Sequence, residues 1–114
     1  MPWTVRFENE FEGEFRDLQV EVQDQLLAAA RLLASYGPQL GRPYVDTLKG
    51  SKYLNMKELR FDAAGGVWRV AFAFDQRRQG ILLVAGDKAG IGQGRFYQQL
   101  IAKADHDSPR TWRG

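Results

Sequence analysis

Glu58, Arg60 and Arg69 fall where two consecutive strand-like stretches would set them on one surface. Across residues 67–75 the alternation is explicit: Trp68, Val70, Phe72 and Phe74 share one face, and Val67, Arg69, Ala71, Ala73 and Asp75 the other. Residues 56–62 send Leu59 and Phe61 to one side and Glu58 and Arg60 to the other. A matching register therefore gathers Glu58, Arg60 and Arg69. The apolar face reads as core. The charged face sets an arginine among small residues, which predicts open space beside the sheet and no helix packed there. Charge is distributed to match: residues 1–54 carry a net −2 and residues 55–114 a net +4. The sheet half is the basic half, which points to a polyanionic partner.

Several elements must position these residues. Trp3, Val5 and Phe7 alternate with Thr4 and Arg6 as a first short strand. Asn9 with Glu12 three residues on predicts a helix start capped by Asn9, and Phe11, Phe15, Leu18 and Val22 form a stripe with a break at 17–19. From 20 to 36, Val22, Leu26, Ala29 and Leu33 line one face until Gly37-Pro38 ends the helix. The two helices are expected to pair. Gly41-Arg42-Pro43 and Lys49-Gly50-Ser51 bound a loop in which Tyr44, Val45 and Leu48 turn back to the core. Strands follow at 56–62, 67–75 and 80–88, the first two joined through Ala64-Gly65-Gly66. After Ala89-Gly90-Ile91-Gly92-Gln93-Gly94, a helix is expected over 95–104 with Phe96 and Leu100 inward. Residues 105–114, with Ser108-Pro109, read as a mobile tail.

The 114 residues, 44% apolar and 26% charged, suit one globular domain with its own core. Without cysteine there is no disulfide scaffold and no thiolate metal site, and the single histidine argues against a histidine-based one, so a cofactor-free protein is expected. No apolar run approaches the roughly 20 residues of a spanning helix, and Met1-Pro2-Trp3 leads straight into strand-like sequence. Neither signal peptide nor membrane anchor is expected, and the compartment expected is the cytoplasm.

Three stretches carry a resemblance: the run from Leu48-Lys49-Gly50-Ser51-Lys52-Tyr53-Leu54-Asn55-Met56 to Phe61, then Val67-Trp68-Arg69-Val70-Ala71-Phe72-Ala73-Phe74-Asp75, then Ile81-Leu82-Leu83-Val84-Ala85-Gly86-Asp87-Lys88. With Arg95-Phe96-Tyr97 and Lys103-Ala104-Asp105, this pattern resembles the phage-derived HigB-like branch of the RelE/ParE toxin superfamily. The resemblance implies an α+β fold: two N-terminal helices on a curved, mostly antiparallel sheet of about four strands, with a C-terminal helix. It implies a toxin of a type II toxin–antitoxin pair that cleaves mRNA on the ribosome without a metal and is neutralised by a helix-turn-helix antitoxin.

Such cleavage uses the 2′-hydroxyl as nucleophile and needs a proton acceptor, cationic donors for the phosphorane and a proton donor for the leaving oxygen. Arg69 matches the family's strand arginine and is the first candidate for the cationic role; its alternative is an ion pair with Glu58 across neighbouring strands. Glu58 reads as a general base or as a residue that orients the arginines, and Arg60 as a second cation. Lys57, also a catalytic candidate, alternates with Glu58 toward the core side, its head reaching solvent. Lys88 is a phosphate contact or a solvated strand end. Arg95 and Tyr97 are a cation and a stacking platform for RNA, Tyr97 alternatively a packing residue between helix and sheet. His106 lies where the resemblance fades and is set aside as a proton donor. The glycines at 90, 92 and 94 lack a Gly-Lys-Ser/Thr signature and read as a turn. Two alternatives keep the same fold: a toxin that acts by binding a protein, as gyrase poisons do, and an inactive antitoxin-binding module.

Overall fold

Five strands, β1 (Thr4–Phe7), β2 (Val45–Thr47), β3 (Lys57–Ala63), β4 (Gly66–Phe74) and β5 (Gln79–Asp87), form one sheet in the order β1-β5-β4-β3-β2 in the computed structural model. It describes residues 3–51, 55–89 and 92–113, the last with backbone alone at 93 and 106–113. Lys52-Tyr53-Leu54 and Gly90-Ile91 of the motifs above, and the side chains of His106 and Trp112, lie outside the described residues. β1 runs parallel to β5, and the other neighbours are antiparallel. The fold is α+β, as expected, with one strand more: Val45–Thr47, read from the sequence as loop, pairs with β3. Three residues are too few for a periodic signal, and only the partner strand makes them extended.

The helices are α1 (Asn9–Arg16), α2 (Val20–Tyr36) and α3 (Gln93–Arg113). Glu8, not Asn9, caps α1: its Oε2 accepts the backbone N–H of Glu10 at 3.1 Å and of Phe11 at 3.3 Å. The longer side chain reaches the free amides from one position earlier. In α2 the buried residues are Val22, Leu26, Ala29 and Leu33, the expected stripe. Gly37 ends it at φ +57°, and a Cβ there would lie 2.5 Å from the Trp3 indole, so both the backbone and the space require glycine.

α1 and α2 cover one face of the sheet, where Phe11, Leu26, Ala29 and Leu33 meet Val45, Leu59, Val70, Phe72 and Leu82. Contrary to the open space expected beside Arg69, the other face is also covered. Phe96, Leu100 and Ala104 of α3 pack there on Ala71, Ala73, Ile81, Leu83 and Val84. Ala71 and Ala73, the small residues that suggested a vacancy, are the seat of the helix, and a Cβ on Gly86 of the next strand would come within 2.9 Å of the Phe96 ring. A bulge in the pairing of β4 with β5, after Ala71, puts the consecutive Leu83 and Val84 on this same face.

α3 is longer than the 95–104 expected and runs through Pro109 into the stretch read as a tail. It is tied beyond Leu100 by polar contacts that composition does not reveal. The Lys103 ammonium meets Glu14 Oε1 at 2.6 Å, and the Ser51 hydroxyl donates to Asp105. Tyr44, expected to turn inward, is 45% exposed, while Val45 and Leu48 are buried as expected.

Candidate active site

Register turns alternation into a cluster. Arg60 stands directly opposite Arg69 across β3 and β4, and Glu58 directly opposite Asp46 across β3 and β2. Each is a like-charge pair, which on its own destabilises a sheet. Side by side they form a checkerboard in which the diagonals attract. Glu58 Oε1 lies 3.4 Å from Arg69 Nε, and the charge of Arg60 acts on Asp46.

Glu58 and Arg69 are each 6% exposed, an ion pair inside the fold. The pairing weighed as the alternative role of Arg69 is therefore formed. Tyr97 completes it from α3, its hydroxyl donating to Glu58 Oε1 at 2.7 Å, and Arg69 Nη1 donates to the Trp68 carbonyl at 2.8 Å. Among the described residues, the Nε atoms of Arg60 and Arg69 are buried without a hydrogen-bond acceptor. At 3.4 Å the Arg69 Nε feels the Glu58 charge but is not aligned to donate to it. Orphaned donors of this kind are costly to bury.

Above the cluster lies an open groove of about 340 Å³ lined by Asp46, Thr47, Lys49, Glu58, Arg60 and Tyr97. Lys88, the first residue after β5, sets its ammonium 5.8 Å from the centre of the Tyr97 ring. Burial, and then the guanidiniums of Arg69 and Arg60, bring the Lys88 ammonium below its usual range; Glu58 opposes the shift. The Tyr97 phenol moves up, through burial and its hydrogen bond to Glu58, with Arg69 acting against both.

The structure thus brings together Glu58, Arg60, Arg69, Lys88 and Tyr97. It does not bring Lys57, which stands opposite Phe72 on the face covered by α1 and α2. Arg95 is exposed in the first turn of α3 and makes no hydrogen bond or ion pair among the described residues. Asp46, Thr47 and Lys49 were missed from sequence because the strand that carries the first two was read as loop. The spacing of Arg42 and Asp46 was the available signal: Arg42 Nη2 lies 3.0 Å from Asp46 Oδ2.

The chain is similar to several known proteins. The phage-derived Gp49-like family matches residues 13–108. HigB2 of Mycobacterium tuberculosis, which is named as a toxin, is 41% identical over 104 residues, covering 90% of this chain and 51% of its own length. HigB3 of the same organism, also named as a toxin, is 46% identical over 94 residues, covering 82% of this chain and 80% of its own. The chain therefore spans about half of one relative and four-fifths of the other. A free-state structure of a double arginine-to-alanine mutant of the E. coli toxin RelE superposes with a TM-score of 0.63 at 13% identity, covering 90% of this chain and 97% of that one. At that identity the likeness is one of fold. The chain belongs to the phage-derived Gp49-like family, is homologous to the HigB toxins and carries the RelE fold.

Proposed function

We propose that this chain is the toxin of a type II toxin–antitoxin pair and cleaves mRNA on the ribosome without a metal ion. The observation that carries the reading is the groove that Arg60 and Tyr97 line beside the buried Glu58–Arg69 pair, with the Lys88 ammonium 5.8 Å from the centre of the Tyr97 ring. Cations concentrated beside an oriented carboxylate are the groups that attack by a 2′-hydroxyl requires.

In this reading Glu58 takes the proton of the 2′-hydroxyl. Arg69 and Tyr97 hold it in place, Arg69 adding positive charge beneath the phosphate. Arg60, half-buried at the groove, contacts the phosphate oxygens and meets the charge that grows on them. Lys88 gives a proton to the departing 5′ oxygen: its ammonium is made more acidic by its surroundings, whereas the Tyr97 phenol is made less so. The protein acts in the cytoplasm, where translating ribosomes are. Its antitoxin, a helix-turn-helix protein, silences it by covering the basic groove with acidic or apolar residues.

Induced expression tests this. The expected result is growth arrest with fragmented message in translating cells. Arg60→Ala should lower cleavage on the order of 100-fold while the protein still melts cooperatively. Intact message with collapsed DNA supercoiling would replace the nuclease with a gyrase poison, and intact message without arrest would indicate an inactive antitoxin-binding module.

A further inference from the structure

β5 has a flank that no other strand covers. Its pairing with β1 ends at Leu82, whose carbonyl accepts the Glu8 N–H at 2.9 Å just before the chain turns into α1. Beyond Leu82, β5 keeps β4 on one side only. The Lys88 N–H donates to the Val67 carbonyl at 2.7 Å, so by alternation Gly86 and Val84 also turn their backbone groups to β4. Ala85 and Asp87 therefore turn theirs outward, where no backbone group meets them among the described residues. The opposite edge of the sheet is treated differently. Tyr44 and Leu48 bond inward to β3, which leaves Val45 and Thr47 pointing out, and the chain closes both: the Val45 N–H donates to the Gly41 carbonyl at 3.0 Å and the Thr47 N–H to Asp46 Oδ1 at 2.8 Å. Blunting of that kind keeps other chains from pairing with an edge, and β5 lacks it.

A cavity of about 210 Å³ opens beside this stretch, lined by residues 84–87 and by Phe96, Gln99, Leu100 and Lys103 of α3. Successive strand side chains point to opposite faces, so four residues in a row border one space only where that space lies off the edge of the strand. α1 packs on one face of the sheet and α3 on the other, and the Lys103–Glu14 ion pair at 2.6 Å joins them around the edge. The slot is therefore narrow: it admits one extended chain, while a second copy, its own β5 flanked by the same two helices, is too broad to enter. Resting on the toxin–antitoxin reading, we propose that the antitoxin lays an extended segment in this slot, its backbone pairing with Ala85 and Asp87 and an apolar side chain set against Phe96 and Leu100. The residues that line the slot and those that line the basic groove are different ones, so this contact anchors the partner without entering the cleavage chemistry.

The test is amide hydrogen exchange, read residue by residue by NMR on the full chain, alone and with the product of the neighbouring gene. Val84 and Gly86 should be protected in both states. Ala85 and Asp87 should exchange freely in the chain alone and slow by roughly tenfold or more in the complex. Ala85→Pro removes an outward N–H and no bond to β4, so it should cut message at the wild-type rate and bind the partner roughly tenfold less tightly. The exchange pattern needs no variant and decides the question even where proline disturbs the strand. A complex that forms while the Ala85 and Asp87 amides still exchange freely overturns the proposal and leaves the antitoxin reading standing. Slowing of the same amides in the chain alone as its concentration rises also overturns it, since the edge then pairs copies of this chain. If the neighbouring product does not bind at all, the antitoxin reading fails and the added strand falls with it.

Discussion

Under α1 and α2 the sheet presents Val45, Leu59, Val70, Phe72 and Leu82, all buried, to an apolar helix stripe. Under α3 the same strands present Ala71, Ala73, Ile81 and Leu83 at one end and Glu58, Arg60 and Arg69 at the other. The first face is uniform, and ordinary apolar packing accounts for it. The second is half core and half charge, and its charged half contains two like-charge cross-strand pairs and two orphaned guanidinium donors. A fold selected for stability alone would not keep them, so the difference marks a candidate site more sharply than the net charge does.

The contrast breaks most visibly at Arg69. Arg69→Ala removes the cation paired with the buried Glu58 carboxylate and leaves it the Tyr97 hydroxyl among the described residues, and unfolding by denaturant should show a loss of about 3–5 kcal/mol together with loss of cleavage. On the other face, Leu33→Ala should cost a comparable 2–5 kcal/mol or so, with cleavage per folded molecule unchanged. An Arg69→Ala protein as stable and as active as wild type would erase the distinction between the faces. A double variant, Glu58→Gln with Arg69→Met, sharpens it by recovering much of the stability and none of the cleavage.

Gly86→Ala probes the border between the two halves of the α3 face. Its Cβ would press on Phe96 at 2.9 Å, so the expected loss is about 1–3 kcal/mol. Because Tyr97 rides on the same helix turn, its hydrogen bond to Glu58 should weaken with it, seen as a fall in cleavage larger than the unfolded fraction explains. Unchanged cleavage in the folded fraction would separate helix seating from the site.

The smallest effect is expected at Tyr97. Removing its hydroxyl in Tyr97→Phe should cost about 1 kcal/mol near neutrality. The fold raises the phenol above its ordinary 10.0. Its contribution is therefore full below pH 10.0 and is lost as pH climbs through the higher folded value. Melts of the two proteins should converge along that alkaline limb, and parallel curves would show that the hydroxyl does not couple to Glu58.

Much of this was legible in the chain itself because periodicity is a one-dimensional record of burial. The α2 stripe, the β3 and β4 alternation, the Gly37 stop and the gathering of Glu58, Arg60 and Arg69 all follow from residue spacing. The motifs from Leu48 to Asp105 likewise identified the family. What spacing does not encode is which surface a distant element covers. Ala71 and Ala73 look like vacancy until α3, more than twenty residues on from Ala71, is seen seated on them. Asp46 looks like loop until β3 makes its three-residue strand extended. Arg69 looks like an exposed cation until the register and Tyr97 enclose it with Glu58. These facts depend on contacts between residues far apart in the chain, and only the tertiary structure decides them.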